Sequence, residues 1–286
     1  MDFSTVQAVM FDFDGTITEP GDYQPHPDII PWLVKLTHQM PISFCTGRQL
    51  ESFEDHGLEY LMKAVEKSEL ESFLENLYLV AENGSIGYRF NTDLDRFEEY
   101  YKVAWPEEVV ERADLMKKLD EYVSEYGEVY FKKHRVVVVM RTKEHTSGDI
   151  EAIHACSAKI FELTQQFMSE MVPNYEDYFN IGNSGIGVII CPKDGDKSRG
   201  IKEFGRYLQE NEGMKLGPKL REIVCIGDRP EKGGNDHDFL KGEVGSPFTV
   251  GNIVENAEYP KPVLGLNGEQ IKHYEGTIEM IKKITT

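Results

Sequence analysis

The order of the apolar runs constrains this chain more than any other feature of its sequence. Residues 6–11 form a short apolar segment that ends in Asp12, Asp14 and Gly15, the pattern of a buried strand running into a loop. Residues 28–38 read as an amphipathic helix with Pro31 near its start, and residues 41–45 as a second strand ending at Thr46-Gly47-Arg48. A helical stretch over about residues 58–77 precedes a third strand at 78–81 and the turn Glu82-Asn83-Gly84. Strands that alternate with helices in this way imply a parallel sheet.

The middle of the chain has another rhythm. A helix is expected from Pro106 to about Tyr126, a β-rich stretch over 129–142 that contains four consecutive valines, and a second helix over 150–171. Residues 179–191 are again strand-like, with an Asn183-Ser184-Gly185 turn inside them. The alternating pattern then resumes with a helix from Lys197, a strand over 222–226, a glycine-rich loop and a closing helix over about 270–284. The expectation is an α/β protein with a Rossmann-like parallel-sheet core in two pieces, residues 1–85 and 189–286. An α+β cap, residues 86–188, is inserted between them.

Composition narrows the function. Among 286 residues, 40% are apolar and 28% charged, as in a globular protein. No apolar run approaches the roughly 20 residues of a membrane span, so no membrane partner is expected. The four cysteines, Cys45, Cys156, Cys191 and Cys225, lack metal or redox spacing, and the first residues lack a secretion signal; a reducing cytoplasm is the expectation. The eight histidines show no zinc-site spacing. With 31 Lys and Arg against 50 Asp and Glu, the formal charge of −19 would repel a nucleic-acid backbone. Any phosphate site in such a chain must carry its own local cations or a metal.

The chemistry-bearing segment is Phe11-Asp12-Phe13-Asp14-Gly15-Thr16. Two carboxylates two positions apart at a strand end can approach one centre, and Gly15 allows the backbone to turn sharply beside them. A calcium loop of the EF-hand kind would need further oxygen ligands at fixed spacing and a distal Glu, and Gly15 arrives too early for it.

With its D-x-D-G-T segment after the first strand, the chain resembles the phosphatases of the haloacid dehalogenase superfamily. Three later segments extend the resemblance over the core: Thr46-Gly47-Arg48 at the end of the second strand, Lys197 entering a helix, and Gly227-Asp228 followed by Asn235-Asp236. The position of the insertion, and Glu82-Asn83-Gly84 just before it, are similar to members with a large α/β cap.

The resemblance implies Mg2+ held by Asp12, the backbone carbonyl of Asp14 and Asp228, with Asn235 and Asp236 completing or orienting the shell. It implies Asp12 as nucleophile, Asp14 as general acid and base, and Lys197 and Thr46 as partners of the phosphoryl oxygens. A cation is physically required, because a carboxylate near a phosphate at ~4 Å is repelled by about 4 kcal/mol per charge pair at an effective dielectric of about 20. Gly47 and Arg48 are further candidates for phosphate contact, Arg48 equally for pairing with an acidic neighbour. Arg141 and Asn183, in the Asn180 to Ser184 turn, are the cap candidates for substrate contact and equally read as ordinary strand-end residues. Asp194 and Asp196 can tune Lys197 or form a solvated turn, while Cys45 and His237 read as structural. The expected substrate is a small phosphorylated metabolite, a sugar phosphate. Two alternatives stay open: a phosphosugar mutase, because Gly233-Gly234-Asn235-Asp236-His237 is similar to phosphomannomutases, and a non-catalytic binding protein on the same fold.

Overall fold

In the computed structural model, residues 2–131, 135–140, 150–185 and 187–286 are described. The first strands in chain order are β1 (Ala8–Phe11), β2 (Ile42–Cys45), β3 (Leu77–Ala81), β4 (Ile86–Asn91) and β5 (Arg96–Lys102). There follow β6 (Gly127–Phe131), β7 (Val136–Met140), β8 (Phe179–Asn183), β9 (Gly187–Pro192), β10 (Ile223–Gly227), β11 (Ser246–Thr249) and β12 (Lys261–Pro262). An eight-stranded sheet has the order β12-β11-β10-β1-β2-β3-β4-β5, and a four-stranded sheet the order β6-β7-β9-β8. Strands β12 to β3 pair in parallel, whereas β4 and β5 are antiparallel additions at one edge.

The central strands are apolar throughout because both faces of the sheet are covered. Their side chains alternate between two cores: Val9, Phe11, Leu79, Val224 and Ile226 point to one, Ala8, Met10, Val80, Ile223 and Cys225 to the other. The first core is closed by α1 (Ile30–Thr37), by the chain over α2 (Leu50–Phe53), α3 (Glu59–Ala64) and α4 (Lys67–Glu75), and by the C-terminal helix His273–Ile284. The small sheet carries α5 (Arg112–Val123) and α6 (Ile150–Met171), which bury Leu115, Leu119, Ile160 and Met168 against Val136, Val188 and Ile190. The second core is closed by α7 (Lys197–Asn211) and the short α8 (His237–Leu240), through Ile201, Phe204, Leu208 and Phe239; the C-terminal helix is α9.

Several elements depart from their sequence expectation. Residues 86–102, read as the start of the insertion, extend the large sheet as β4 and β5. Strand β5 buries Phe97 and Tyr101 while Arg96, Glu98, Glu99 and Lys102 do not join the core, the alternation of an edge strand. At the other end β9 stays in the small sheet to Pro192, beyond the expected return to the core. The helix expected over 58–77 is broken into pieces, with a π-turn at Glu54–Leu58 in which Gly57 is packed against the rings of Phe13 and Phe53. The helix expected from Pro106 begins at Arg112. None of the described helices is long and apolar enough to cross a membrane.

Between β3 and β4, three consecutive residues have positive φ: Glu82 at 50°, Asn83 at 59° and Gly84 at 105°. A side chain is unfavourable at each, yet the segment is buried and bonded to both neighbours. Glu82 N donates to Arg48 O at 2.8 Å, Asn83 N to Thr46 O at 2.9 Å, and Tyr101 Oη to Gly84 O at 3.0 Å. At Gly84 a Cβ would lie 1.9 Å from the carbonyl oxygen of Asp196. Gly84→Ala therefore combines a forbidden backbone with a clash against main chain, and should lose about 3 kcal/mol or more of stability in a denaturant titration; a loss under about 1 kcal/mol would contradict this packing.

Candidate active site

The loops at the carboxyl ends of β1, β2, β3 and β10 converge, as they must when parallel neighbouring strands all end on one side. Asp12 directly follows β1 and its N–H donates to Ile226 O at 2.7 Å, so it is fixed by the sheet itself. Gly15, at φ 77°, turns the chain away; a Cβ there would lie 2.6 Å from Asp228 Oδ2, so only glycine lets that carboxylate come close. The loop after Gly15 is tied to α9, where Thr277 Oγ1 donates to Thr16 O at 2.8 Å.

Lys197 stands at the first position of α7, whose N-cap Asp196 accepts from Arg199 N at 2.9 Å. Its Nζ donates to Asp12 Oδ1 at 2.5 Å and to Asp236 Oδ1 at 2.6 Å, and all three side chains are buried. The other oxygen of Asp236 accepts the backbone N–H of Asp228 and of Arg229, each at 3.1 Å, which shapes the loop after β10. Oxygens of Asp12, Asp228 and Asp236 lie within 4.8 Å of one another. Burial and the nearby Asp236 push the Asp12 carboxyl up to about 7. Burial and the same neighbour raise Asp228 well above the carboxylate range. Burial opposes the charge on Lys197, but Asp12 and Asp236 outweigh it and hold the ammonium protonated.

The donor set fits a hard divalent cation. All three groups are carboxylates, no His or Cys joins them, and Asp12 Oδ2 is buried with no hydrogen-bond partner among the described residues. Asp236 has committed both oxygens to Lys197 and to backbone N–H groups, so it suits an orienting role, leaving Asp12 and Asp228 to meet an ion. Asn235 has a buried Oδ1 without a partner among the described residues. Its main chain is held by β8, since Asn235 N donates to Asn183 O at 3.2 Å.

Thr46 is buried at the end of β2, with its hydroxyl accepting from Arg48 N at 3.1 Å. Arg48 grips Asp14 with both arms, Nε to Oδ2 at 3.2 Å and Nη2 to Oδ1 at 2.5 Å, and its guanidinium lies over the Phe13 ring. Of the two readings for Arg48, the acidic neighbour is therefore realised. Asp14, by contrast with Asp12, is about half exposed and its side chain stands outside the carboxylate cluster. Cys45 and His237 are occupied structurally, the thiol pushed up by burial and the ring bonded to Pro230 O.

The cap contributes differently from expectation. Arg141 lies outside the described residues. Asn183 spends its side chain locally, on Ser157 Oγ at 2.6 Å and Gly185 N at 2.7 Å, and its N–H bonds Gly233 O at 2.7 Å, so it joins cap to core. A residue the motifs did not single out, Arg135, enters the site from the foot of β7. Its guanidinium packs on Gly47, where an added Cβ would lie 3.7 Å from Nη1 and 3.9 Å from Nη2. Arg135 is 2% exposed, and its Nε and Nη1 have no hydrogen-bond partner among the described residues. The available signal was the basic run Lys132-Lys133-His134-Arg135 before a valine strand in an acidic chain. Beside the site, a cavity of about 440 Å³ opens between cap and core, lined by Asn83, Phe179, Asn180, Lys193 and Asn235 among others.

No protein-family model matches the chain, and no curated protein sequence does. Solved structures share its fold. An N-terminally truncated IMP-nucleotidase of Plasmodium falciparum aligns at 16% identity and TM-score 0.65, covering 99% of this chain and 71% of its own. The C-terminal domain of a trehalose-6-phosphate phosphatase from C. albicans aligns at 15% identity and TM-score 0.60, covering 98% and 92%. A third, from work on a trigonal-bipyramidal intermediate in a phosphoryl-transfer superfamily, aligns at 17% identity and TM-score 0.58, covering 97% of each chain.

The raised carboxyls set a pH dependence. Without metal, Asp12 keeps a proton up to about pH 7, so its contribution to stability declines as pH rises from its ordinary value of 3.8 to about 7. A divalent cation competes with that proton, so the cation-induced rise in melting temperature should be larger at pH 8 than at pH 6. Equal rises at both pH values would place the ion elsewhere.

Proposed function

We propose that this chain is a Mg2+-dependent phosphomonoester hydrolase of the haloacid dehalogenase type, acting on a small phosphorylated metabolite, a sugar phosphate. The observation that carries the reading is Asp12 itself: a buried carboxylate at a strand end, one oxygen on Lys197, the other without a partner among the described residues, beside the carboxylate of Asp228. In a chain of charge −19, Lys197 supplies a buried local cation, and because three carboxylates cluster around it the site needs a metal ion as well before it can take a phosphate.

The chemistry follows from these positions. Asp12 attacks the phosphorus in line, the bond to the leaving oxygen breaks, and Asp14 supplies that oxygen with a proton. Asp14 then takes a proton from water as the water attacks the aspartyl-phosphate, releasing phosphate and restoring Asp12. Both oxygens of Asp14 accept from Arg48 here, so this pair would have to open for Asp14 to carry the proton it gives to the leaving oxygen. Thr46 and Lys197 would donate to the phosphoryl oxygens. Mg2+, held by Asp12, Asp228 and the carbonyl of Asp14, would neutralise charge on the phosphoryl group.

Support for the substrate class comes from the cavity between cap and core, where the amides of Asn83, Asn180 and Asn235 and the ammonium of Lys193 suit a hydroxyl-rich leaving group. The structural likeness to a trehalose-6-phosphate phosphatase points the same way. The test is phosphate release from a panel of sugar phosphates and other small phosphate esters with Mg2+. Asp12→Asn should lower kcat by about a thousandfold or more, and chelation should stop turnover. Undiminished release by Asp12→Asn would refute the mechanism, and no release from any ester would refute the activity.

A further inference from the structure

Arg135 is a buried cation with no ion pair among the described residues. Its Nε and Nη1 are sealed from solvent with no acceptor among the described residues, although such groups are nearly always satisfied. Burial pulls its pKa down to about 10, with Glu82 the chief opposing influence, so the side chain is still charged at neutral pH. A guanidinium desolvated without a full set of acceptors destabilises the fold. A position like this persists when something other than stability keeps it.

Its place in the fold says what that is. Arg135 immediately precedes the cap strand β7, yet its guanidinium lies against Gly47, next to Thr46 in the core, with Ile189 of β9 packed at the same spot. The Arg48 guanidinium, on the far side of Gly47 in sequence, also has a buried Nη1 without a partner among the described residues. Arg48 spends its Nε and Nη2 on Asp14, so the guanidinium that meets the Thr46-Gly47 turn is that of Arg135. The donors of a guanidinium match the oxygens of a phosphoryl group in a fork, which an ammonium cannot reproduce.

We infer that Arg135 is a substrate-binding residue: it delivers a guanidinium from the cap to the phosphoryl group held at Thr46, so that the cap closes on the charge of the group to be transferred rather than on the leaving group alone. The inference rests on the phosphohydrolase reading for the identity of the ligand, but its own geometry requires only a phosphoryl anion at the Thr46-Gly47 turn.

The test uses the full-length protein with Mg2+ and measures inorganic phosphate binding by titration calorimetry for the native chain, Arg135→Met and Arg135→Lys. Thermal melts without phosphate, and KM and kcat for a monophosphate and a bisphosphate ester, accompany it. Arg135→Met should weaken phosphate binding about tenfold or more, raise KM in similar proportion for both esters, and melt no lower than the native chain without phosphate. Arg135→Lys should fall between the two. Unchanged phosphate affinity with a lowered melting temperature would make Arg135 a structural residue, and a KM rise confined to the bisphosphate would place its anion on the leaving group; either overturns the assignment. Should Arg135→Met not fold, native phosphate affinity in Arg135→Lys overturns it equally. Arg135-dependent phosphate binding in a protein that hydrolyses no ester would sink the hydrolase reading and leave this one standing, and hydrolysis with Arg135-independent binding would do the reverse.

Discussion

The ammonium of Lys197 between Asp12 and Asp236 is the interaction on which the site is organised. Three carboxylates brought within a few ångströms at the bottom of a buried cleft repel one another, and a single fully enclosed cation offsets only part of that repulsion. The remaining imbalance is visible in the raised proton affinity of Asp12 and Asp228. Geometry that tolerates such crowding has to be imposed from outside, and here the sheet imposes it. Parallel strands β1 and β10 end side by side, and Gly15 and Gly227 remove the Cβ atoms that would meet the carboxylates of Asp228 and Asp236.

The same charge logic extends to the rim. Asp14 is held by Arg48, and Arg48 is held by its stack on Phe13 and by Glu82 N bonding its carbonyl. The left-handed turn at Glu82-Asn83-Gly84 thereby touches the loops after β2 and before α7 at once, since Gly84 abuts Asp196 and Lys197. Strain concentrated in one short turn keeps two functional loops in register.

What could be read in the amino-acid order follows from how local each signal is. Asp12, Thr46, Lys197 and Asp228 each sit where a strand or helix boundary announces itself in adjacent residues, and the resemblance to a known family, not alternation, implied that they share one site. Residues 86–102 read as part of the insertion because the edge strand β5, with charged alternate positions, resembles any half-exposed segment, and β4, which links it to β3, follows a turn whose direction is set by φ values. Asn183 looked like a ligand because a polar turn residue does; its side chain is consumed by Ser157 and Gly185, a tertiary fact. Arg135 is illegible in the sequence for the converse reason. Its burial depends on Gly47, far away in the chain, and nothing beside it in sequence separates it from the basic residues that precede it.

The backbone pairing of Asn183 with Gly233 and Asn235 joins a cap strand to the loop that ends in Asp236. Lifting the cap away from the core therefore pulls on the main chain next to a residue that braces Lys197 and shapes the turn after β10. Separating β8 from that loop would break two peptide hydrogen bonds beside Asp236, so the seating of the small sheet and the shape of the carboxylate cluster are mechanically linked.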